Sequence, residues 1–112
     1  MFITKEFSFD SAHYLPDYHG KCENMHGHTY KMHVTVEGEV QADGMVIDFV
    51  KLKEIVKTKV IDKLDHQILN EIIAKPSAEN IVIWAWEELK NDLNLFEIKL
   101  WETPTSFVTY RK

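Results

Sequence analysis

The residues best able to do chemistry lie near the N-terminus, where His26-Gly27-His28 follows Cys22 and His13 lies a short loop upstream. Two histidines at positions i and i+2 share one face of an extended chain, because side chains in a strand alternate with period 2. Neutral imidazole suits zinc, and a catalytic zinc usually takes three protein ligands and leaves a fourth position for water or substrate. We therefore predict a Zn²⁺ site formed by His13, His26 and His28.

Cys22 lies four residues before His26 and has two possible roles. As a fourth ligand it would close a structural zinc site, and as a free thiolate beside an open site it would do chemistry. The spacing alone leaves both roles open. One reading of the sequence is an enzyme, and the other is a metal-stapled scaffold without turnover.

Length and composition favour one ordinary globular domain over residues 1–112, since 112 residues with 45% hydrophobic content can build one core but not two. A net charge of −5 argues against a nucleic-acid partner, which would require a basic face. The single cysteine cannot form an intramolecular disulfide, and neither a signal-peptide core nor a membrane-length apolar run is present. We expect a cytoplasmic protein without a membrane partner.

The first two strands are predicted from alternating polarity. The first covers residues 2–13 and ends its apolar face with His13, and the second begins at His26 after a loop that contains Pro16 and Gly20. In an antiparallel hairpin the three histidines then meet at the loop end. His33 falls on the polar face and His19 in the loop, so neither is predicted as a ligand. The predicted inner face is formed by Ile3, Phe7, Phe9, His13, His26, His28, Tyr30, Met32, Val34 and Val36.

Two helices follow the turn signal Asp43-Gly44. The first is capped by Asp48, and the second begins after Pro76-Ser77, with Ser77 as its cap. Trp84 and Trp86 are interpreted as helix-packing residues, and the pair Asp65-His66 lies in the connection between the helices. The apolar stripes at helical spacing are Phe49, Leu52, Ile55, Val56 and Val60 in the first helix, and Val82, Ala85, Trp86, Leu89 and Leu93 in the second.

The C-terminal segment reads as a second strand pair, residues 96–102 and 107–110, joined at residues 103–106. The element order β-β-α-α-β-β predicts an α+β domain, with a four-stranded antiparallel sheet and both helices on one face. Such a small sheet leaves its edge strands unpaired, and pairing them between subunits would satisfy their hydrogen-bonding groups. We therefore expect a homo-oligomer.

Glu102 shares the strand parity of Phe96, Ile98 and Leu100, so a carboxylate ends an otherwise apolar face. A buried carboxylate needs a partner, because desolvating it alone costs several kcal/mol or shifts its pKa. Glu102 either reaches water at the end of the strand or accepts hydrogen bonds from the N–H-rich edge of a heterocycle.

These motifs together resemble the 6-pyruvoyl-tetrahydropterin synthase / 6-carboxy-tetrahydropterin synthase family nearly end to end. The resemblance implies the tunnelling fold (T-fold), in which such subunits assemble into oligomeric barrels, commonly hexamers, with sites between subunits. The motifs that carry it are Phe7-Ser8-Phe9-Asp10-Ser11-Ala12-His13, Cys22 with His26-Gly27-His28, Ile47-Asp48-Phe49, Leu64-Asp65-His66, Pro76-Ser77-Ala78-Glu79-Asn80 and Trp101-Glu102-Thr103.

Family roles can be carried over position by position. The resemblance implies His13, His26 and His28 as zinc ligands, Cys22 as the proton-abstracting thiolate, and Asp65 and His66 as its partners in a proton relay. It further implies Glu102 as the pterin anchor, with Thr103 beside it in substrate binding. Lys21, next to the catalytic loop, is a candidate contact for a triphosphate.

The substrate implied is 7,8-dihydroneopterin triphosphate, and the short chain most resembles the bacterial carboxy-forming branch of queuosine biosynthesis, which releases acetaldehyde and triphosphate. The pyruvoyl-forming synthase is the alternative. A third branch makes 6-hydroxymethyl-dihydropterin with a Glu-x-x-His-Gly-His motif, and Glu23 stands at that glutamate position while Cys22 is retained. A zinc-stapled pterin-binding module is the non-enzymatic alternative. Ser77-Ala78 departs from the commoner Thr-Ser, but serine caps a helix as well as threonine.

Overall fold

The computed structural model describes residues 1–16, 20 and 23–112. Four strands form one antiparallel sheet in the order β1-β2-β3-β4, and each strand pairs with its neighbour in sequence. The predicted β-β-α-α-β-β fold, with both helices on one face of the sheet, is confirmed. The strands are β1 (Phe2–His13), β2 (His26–Glu37), β3 (Leu95–Thr103) and β4 (Ser106–Arg111).

The register of β1 and β2 places the predicted inner-face residues together. Phe9 lies opposite Tyr30, and His13 lies opposite His26 at the loop end of the hairpin. Along β1 the side chains become more buried toward His13, and along β2 they become more buried from Tyr30 to Val36, with Tyr30 and Val34 fully buried. The period-2 pattern of the sequence therefore identifies the face that the helices cover.

The first helix begins where the sequence predicts, because the Asp48 carboxylate accepts a hydrogen bond from the Val50 N–H at 2.8 Å. It has three consecutive parts: α1 (Phe49–Val56), a π-helical segment (Lys57–Ile61) and the short α2 (Asp62–Leu64). The π-helical segment was not predicted. It widens one turn, so the residues after it are rotated relative to a continuous α-helix.

The second predicted helix is α3 (Ala78–Leu89), and its cap is confirmed by the Asn80 N–H, which donates to the Ser77 hydroxyl at 3.2 Å. Leu93, predicted on its apolar stripe, lies beyond the helix end but is buried. A 3₁₀ turn, Leu69–Glu71, precedes α3 and was not predicted. Gly44 has φ of +84°, which accounts for glycine in the Asp43-Gly44 turn.

The core lies between the sheet and the helices, and one sequence prediction about it is wrong. A bulge between Thr35 and Val36 places Leu95 opposite Val36, so Leu95 is buried and the ring of Phe96 contacts Phe2 instead. Trp84 and Trp86 pack against the core as interpreted. The largest buried core side chains are Tyr30, Met32, Leu52, Leu64, Leu69, Ile81, Leu89, Ile98 and Leu100.

None of the helices in the described ranges is long and apolar enough to span a membrane.

Candidate metal centre

Three histidines meet where the β1–β2 hairpin opens into its loop. His13 ends β1, His26 begins β2 opposite it, and His28 follows on the same side of β2. One ring nitrogen from each lies within 4.8 Å of the other two. His13 is fully buried, and the other two are partly buried. The structure thus brings together the three residues predicted as metal ligands.

Main-chain carbonyls fix the tautomers of two of these rings. His13 Nδ1 lies 2.7 Å from the Pro76 carbonyl and His26 Nδ1 lies 2.8 Å from the Asn24 carbonyl. A carbonyl can only accept, so each Nδ1 carries the hydrogen, and in the neutral ring each Nε2 has a lone pair. The two Nε2 atoms are 2.9 Å apart. Facing lone pairs at this distance repel unless a proton or a metal ion lies between them.

His28 completes the cluster with an unsatisfied atom. Its Nε2 is buried and, within the described part of the chain, has no hydrogen-bond partner. Burial lowers the pKa of His28, the positive charges that His13 and His26 can carry lower it further, and the Glu102 carboxylate opposes both effects. At neutral pH His28 is therefore an uncharged imidazole, as a metal ligand must be. The donor set fits a tetrahedral zinc ion with three histidine ligands.

Glu102 lies beside this cluster. Its Oε1 is 3.5 Å from His28 Nε2, and its side chain is 27% exposed. A bulge between Trp101 and Thr103 ends the regular pairing of β3 with β4 at this point. A cavity of about 410 Å³ begins here, and its lining includes His28, Glu102 and Thr103. Two of the three residues predicted to bind substrate, Glu102 and Thr103, therefore share a cavity with the candidate metal ligand His28.

Asp65 and His66 form a second cluster with Asp10. His66 Nδ1 lies 3.0 Å from the Asp65 carboxylate, and the Asp10 N–H donates to the same carboxylate at 2.9 Å. The Asp10 N–H bond is the main cause of the lowered pKa of Asp65, with His66 second. The predicted Asp-His pair is thus a real contact. Its imidazole is 78% exposed, and its backbone φ is +58°, the left-handed region.

The two clusters face one cavity without touching. A cavity of about 540 Å³ is lined by His28 and His66, together with Asp10 and Thr29. The Thr29 hydroxyl donates to the Asp10 carboxylate at 2.5 Å, which links the start of β2 to the Asp10 cluster. The predicted relay residues and the predicted metal ligands therefore adjoin the same space.

Cys22, Lys21 and His19 lie outside the described residues. Glu23 is exposed, and its N–H donates to the Gly20 carbonyl at 3.1 Å. His33 lies on the other face of the sheet, as its strand parity predicts, and its Nε2 is 2.8 Å from the Glu6 carboxylate.

Sequence reasoning missed Lys31 and Trp101, which also line the 410 Å³ cavity. The Lys31 ammonium is 4.4 Å from the centre of the Trp101 ring, and the two residues are cross-strand partners. Lys31 therefore places a positive charge near Glu102 and Thr103. Its position on the polar face of β2 gave no signal, because the cavity depends on how β2 pairs with β3.

A four-stranded antiparallel sheet with two helices on one face, and three histidines at the loop end of its first hairpin, defines a T-fold subunit of the pterin-synthase class. The profile of the 6-pyruvoyl tetrahydropterin synthase family matches residues 2–112. The chain belongs to this family.

Three similar proteins carry three different names. The chain is 41% identical to 6-carboxy-5,6,7,8-tetrahydropterin synthase of Haemophilus influenzae, over 98% of each chain. It is also 41% identical to dihydroneopterin monophosphate aldolase of Pyrococcus furiosus, over 89% of this chain and 88% of that one. The structure of Caenorhabditis elegans 6-pyruvoyl tetrahydropterin synthase superposes with a TM-score of 0.90 at 30% identity, over 100% of this chain and 95% of that one.

Proposed function

We propose that this protein is a zinc-dependent 6-carboxy-5,6,7,8-tetrahydropterin synthase of queuosine biosynthesis. It converts 7,8-dihydroneopterin triphosphate to 6-carboxytetrahydropterin, with release of acetaldehyde and triphosphate, in the cytoplasm. The Haemophilus influenzae relative of that name, matched over nearly the whole of both chains, supports this branch of the family.

One observation carries the metal-dependent part of the proposal: the Nε2 atoms of His13 and His26 lie 2.9 Å apart while both Nδ1 atoms face carbonyls. A cation relieves the repulsion between the two lone pairs, and His28 adds a third nitrogen. A zinc ion held by these residues supplies Lewis acidity, which polarises the oxygens of the substrate side chain and makes the adjacent C–H more acidic.

The chain's own residues then move the proton. Cys22 is proposed to remove it as a thiolate, which requires a pKa below the value near 8.5 of a free thiol. A protonated His66 lowers the pKa of the Cys22 thiol, and the Asp65 carboxylate holds the His66 ring by Nδ1, so that Nε2 is directed away to exchange the proton.

Substrate binding is assigned to the cavity that adjoins the zinc ligands. Glu102 accepts hydrogen bonds from the 2-amino group and the ring N–H of the pterin, and Thr103 contacts the same edge. Lys21 is proposed to contact the triphosphate. The exposure of His66, and its lack of direct contact with the three histidines, supports a homo-oligomer, proposed to be a hexamer, in which His66 serves the zinc site of a neighbouring subunit.

A second candidate reaction is aldol cleavage. The Pyrococcus furiosus relative is named an aldolase of dihydroneopterin monophosphate, and Glu23 occupies the position of the base in the hydroxymethyl-forming branch. The pyruvoyl-forming reaction is the remaining candidate, supported by the superposition on the Caenorhabditis elegans synthase.

Product analysis after incubation with 7,8-dihydroneopterin triphosphate tests the assignment. Acetaldehyde with 6-carboxytetrahydropterin supports the proposal, whereas a pyruvoyl-pterin or a hydroxymethyl-pterin as the main product assigns another branch. Repeating the assay with dihydroneopterin monophosphate tests the aldolase reaction directly.

Zinc content of Cys22→Ala separates the enzyme from a metal-stapled module. The proposed enzyme retains zinc and loses turnover. A closed structural site with Cys22 as fourth ligand loses zinc affinity and stability together.

A further inference from the structure

The Glu102 carboxylate lies close enough to His28 to bind the same metal ion as the three histidines. Its Oε1 lies 3.5 Å from His28 Nε2, yet that nitrogen makes no hydrogen bond within the described residues. The contact is therefore close but is not a directed hydrogen bond. Two ligand atoms on one tetrahedral zinc ion, each bonded at about 2.0–2.1 Å, are separated by about 3.3–3.4 Å. The separation of these two atoms is close to that value.

The surroundings of Glu102 show that its carboxylate points toward the histidine cluster and not toward solvent. Its side chain is 27% exposed, and its Oε1 faces the buried Nε2 of His28. Lys31 lines the same cavity, but its ammonium lies over the Trp101 ring. Within the described residues, the groups that Glu102 approaches as an ion-pair partner are the nitrogens of the histidine cluster, with His28 Nε2 at 3.5 Å. A cation held by those nitrogens would compensate the charge.

This position conflicts with a purely substrate-binding role. The amino-pyrimidine edge of a pterin is separated from its side chain by the fused ring system, so a carboxylate anchoring that edge cannot also lie beside the ligand atoms that meet the side chain. Glu102 must therefore leave the histidines before it can accept hydrogen bonds from a pterin in the cavity. Its side chain has room to do so, because the 410 Å³ cavity extends from His28 past Glu102 to Thr103 and Pro104.

We propose that Glu102 is the fourth metal ligand of the enzyme without substrate, and that a bound pterin withdraws it. The carboxylate closes the metal position while the cavity holds no pterin, and it moves to the heterocycle when one enters. Recognition of the ring then opens the metal to the substrate side chain. This inference rests on the three-histidine metal centre of the proposed function and adds a ligand and an opening step to it.

The exchange is a replacement of one oxygen donor by another. The carboxylate leaves the metal, a water or a substrate hydroxyl takes its place, and the negative charge is retained in hydrogen bonds to the pterin N–H groups. No oxidation or reduction is involved. The physical gain is selectivity, because a molecule without a suitable N–H edge leaves the metal closed.

Cobalt substitution provides the test, since Co²⁺ binds zinc sites and its visible spectrum reports the ligands. With a carboxylate in the fourth position there is no metal-bound water to ionise, so the spectrum of the wild-type protein should not change between about pH 6 and pH 9. In Glu102→Ala a water takes the position, and its ionisation near pH 7 should change the spectrum. A wild-type spectrum that titrates like that of Glu102→Ala would overturn the proposal.

Metal affinity gives a second readout that is independent of turnover. Loss of a directly bound carboxylate should weaken zinc binding by more than the roughly 10- to 100-fold that removal of a residue supporting a ligand costs, measured by competition with a chromophoric chelator. Glu87→Gln is the matched control, because Glu87 pairs with Lys90 on α3 and should leave the affinity unchanged. Equal zinc affinities for Glu102→Ala, Glu102→Gln and Glu87→Gln would also overturn the proposal that Glu102 is a ligand.

Unsubstituted 7,8-dihydropterin tests the opening step, since it lacks the side chain that would meet the metal. Its addition to the wild-type cobalt protein should produce the pH-dependent spectrum of Glu102→Ala, and binding without a spectral change would refute the withdrawal. The outcomes separate the two proposals. A wild-type protein that takes up no cobalt or zinc refutes the metal centre itself, whereas a bound metal with identical spectra refutes the role of Glu102 alone.

Discussion

Asn70 holds Tyr14 by both ends of its amide: the Tyr14 N–H donates to Oδ1 at 3.0 Å, and Nδ2 donates to the Tyr14 carbonyl at 2.9 Å. Tyr14 directly follows His13, so this pair of bonds fixes the chain where β1 places the candidate ligand His13. The neighbouring Pro76 carbonyl fixes the ring itself. The position of His13 therefore depends on the connection between the helices as well as on the sheet.

Replacing Asn70 with alanine should loosen this attachment. Two partly buried hydrogen bonds at about 1 kcal/mol each predict a loss of about 2 kcal/mol in the free energy of unfolding, together with weaker zinc binding. Asn94→Ala is the control, because Asn94 donates to the Glu37 carbonyl, at the far end of β2 from the histidines. Urea unfolding and chelator competition measure both effects, and equal zinc affinity in the two variants would contradict this account of Asn70.

Removing zinc should lower the free energy of unfolding by more than the binding free energy of the ion alone. Zinc at about 100 times its dissociation constant stabilises the folded protein by about 2.7 kcal/mol, and its removal also restores the repulsion between His13 Nε2 and His26 Nε2. Calorimetry with zinc and with excess chelator should therefore give a clearly lower Tm for the metal-free protein. His13→Gln should show little response to either treatment. A wild-type Tm that is indifferent to zinc would argue against the centre.

The metal-free protein should lose stability on acidification because of His28. Its pKa in the folded state is below the ordinary 6.5, chiefly through burial, so just below pH 6.5 the unfolded chain binds more protons than the folded one. The stabilising contribution is present above pH 6.5 and is lost as the pH falls through the lower, folded-state pKa. Urea unfolding in chelator from pH 7.5 to pH 5 should show a smaller decline for His28→Gln than for the wild type.

Because His66 has a left-handed backbone conformation, replacing it with glycine should affect stability and activity differently. A non-glycine residue in this conformation costs about 1–2 kcal/mol, which glycine avoids. His66→Gly should therefore keep or raise the Tm while product formation is lost. Lys75→Gly is the matched control, because Lys75 has φ of +49° and should tolerate glycine with activity intact. If His66→Gly retained activity, the relay role would be refuted.

A site shared between subunits can be detected by mixing two inactive variants and measuring the recovered activity. Cys22→Ala and His66→Ala should each be inactive, and subunit exchange between them should restore part of the activity if the two residues of one site come from different chains. Some mixed sites then carry neither mutation. Labelled subunits establish that exchange has occurred. With exchange verified, a mixture that stays inactive would place both residues in one chain.

Much of this architecture is readable from local sequence. The parity of β1 and β2 predicts the face that carries His13, His26 and His28, and Asp48 and Ser77 mark the helix starts through their side-chain caps. These features depend on neighbours a few residues away.

The features that were missed depend on distant partners. Leu95 is buried in the core in place of the predicted Phe96 because a bulge between Thr35 and Val36 shifts the register of β2 and β3. The contact of Asp10 with Asp65 joins residues 55 positions apart. Lys31 enters the cavity only because β2 pairs with β3. Local periodicity does not show where a bulge shifts the register of a strand or which distant residues it brings together.

The π-helical segment Lys57–Ile61 sets the rotation of the connection that follows it. An α-helix advances about 100° per residue, and a π-helical turn accommodates one extra residue without that advance. If the same residues wound as a regular α-helix, everything downstream would be rotated by about that angle, so Leu64 would leave the core and the Asp65 carboxylate would turn away from the Asp10 N–H. Deleting one residue together with the π-helical turn keeps the rotation, so the orientation of the Asp65-His66 pair should survive a one-residue deletion in this segment better than a one-residue insertion.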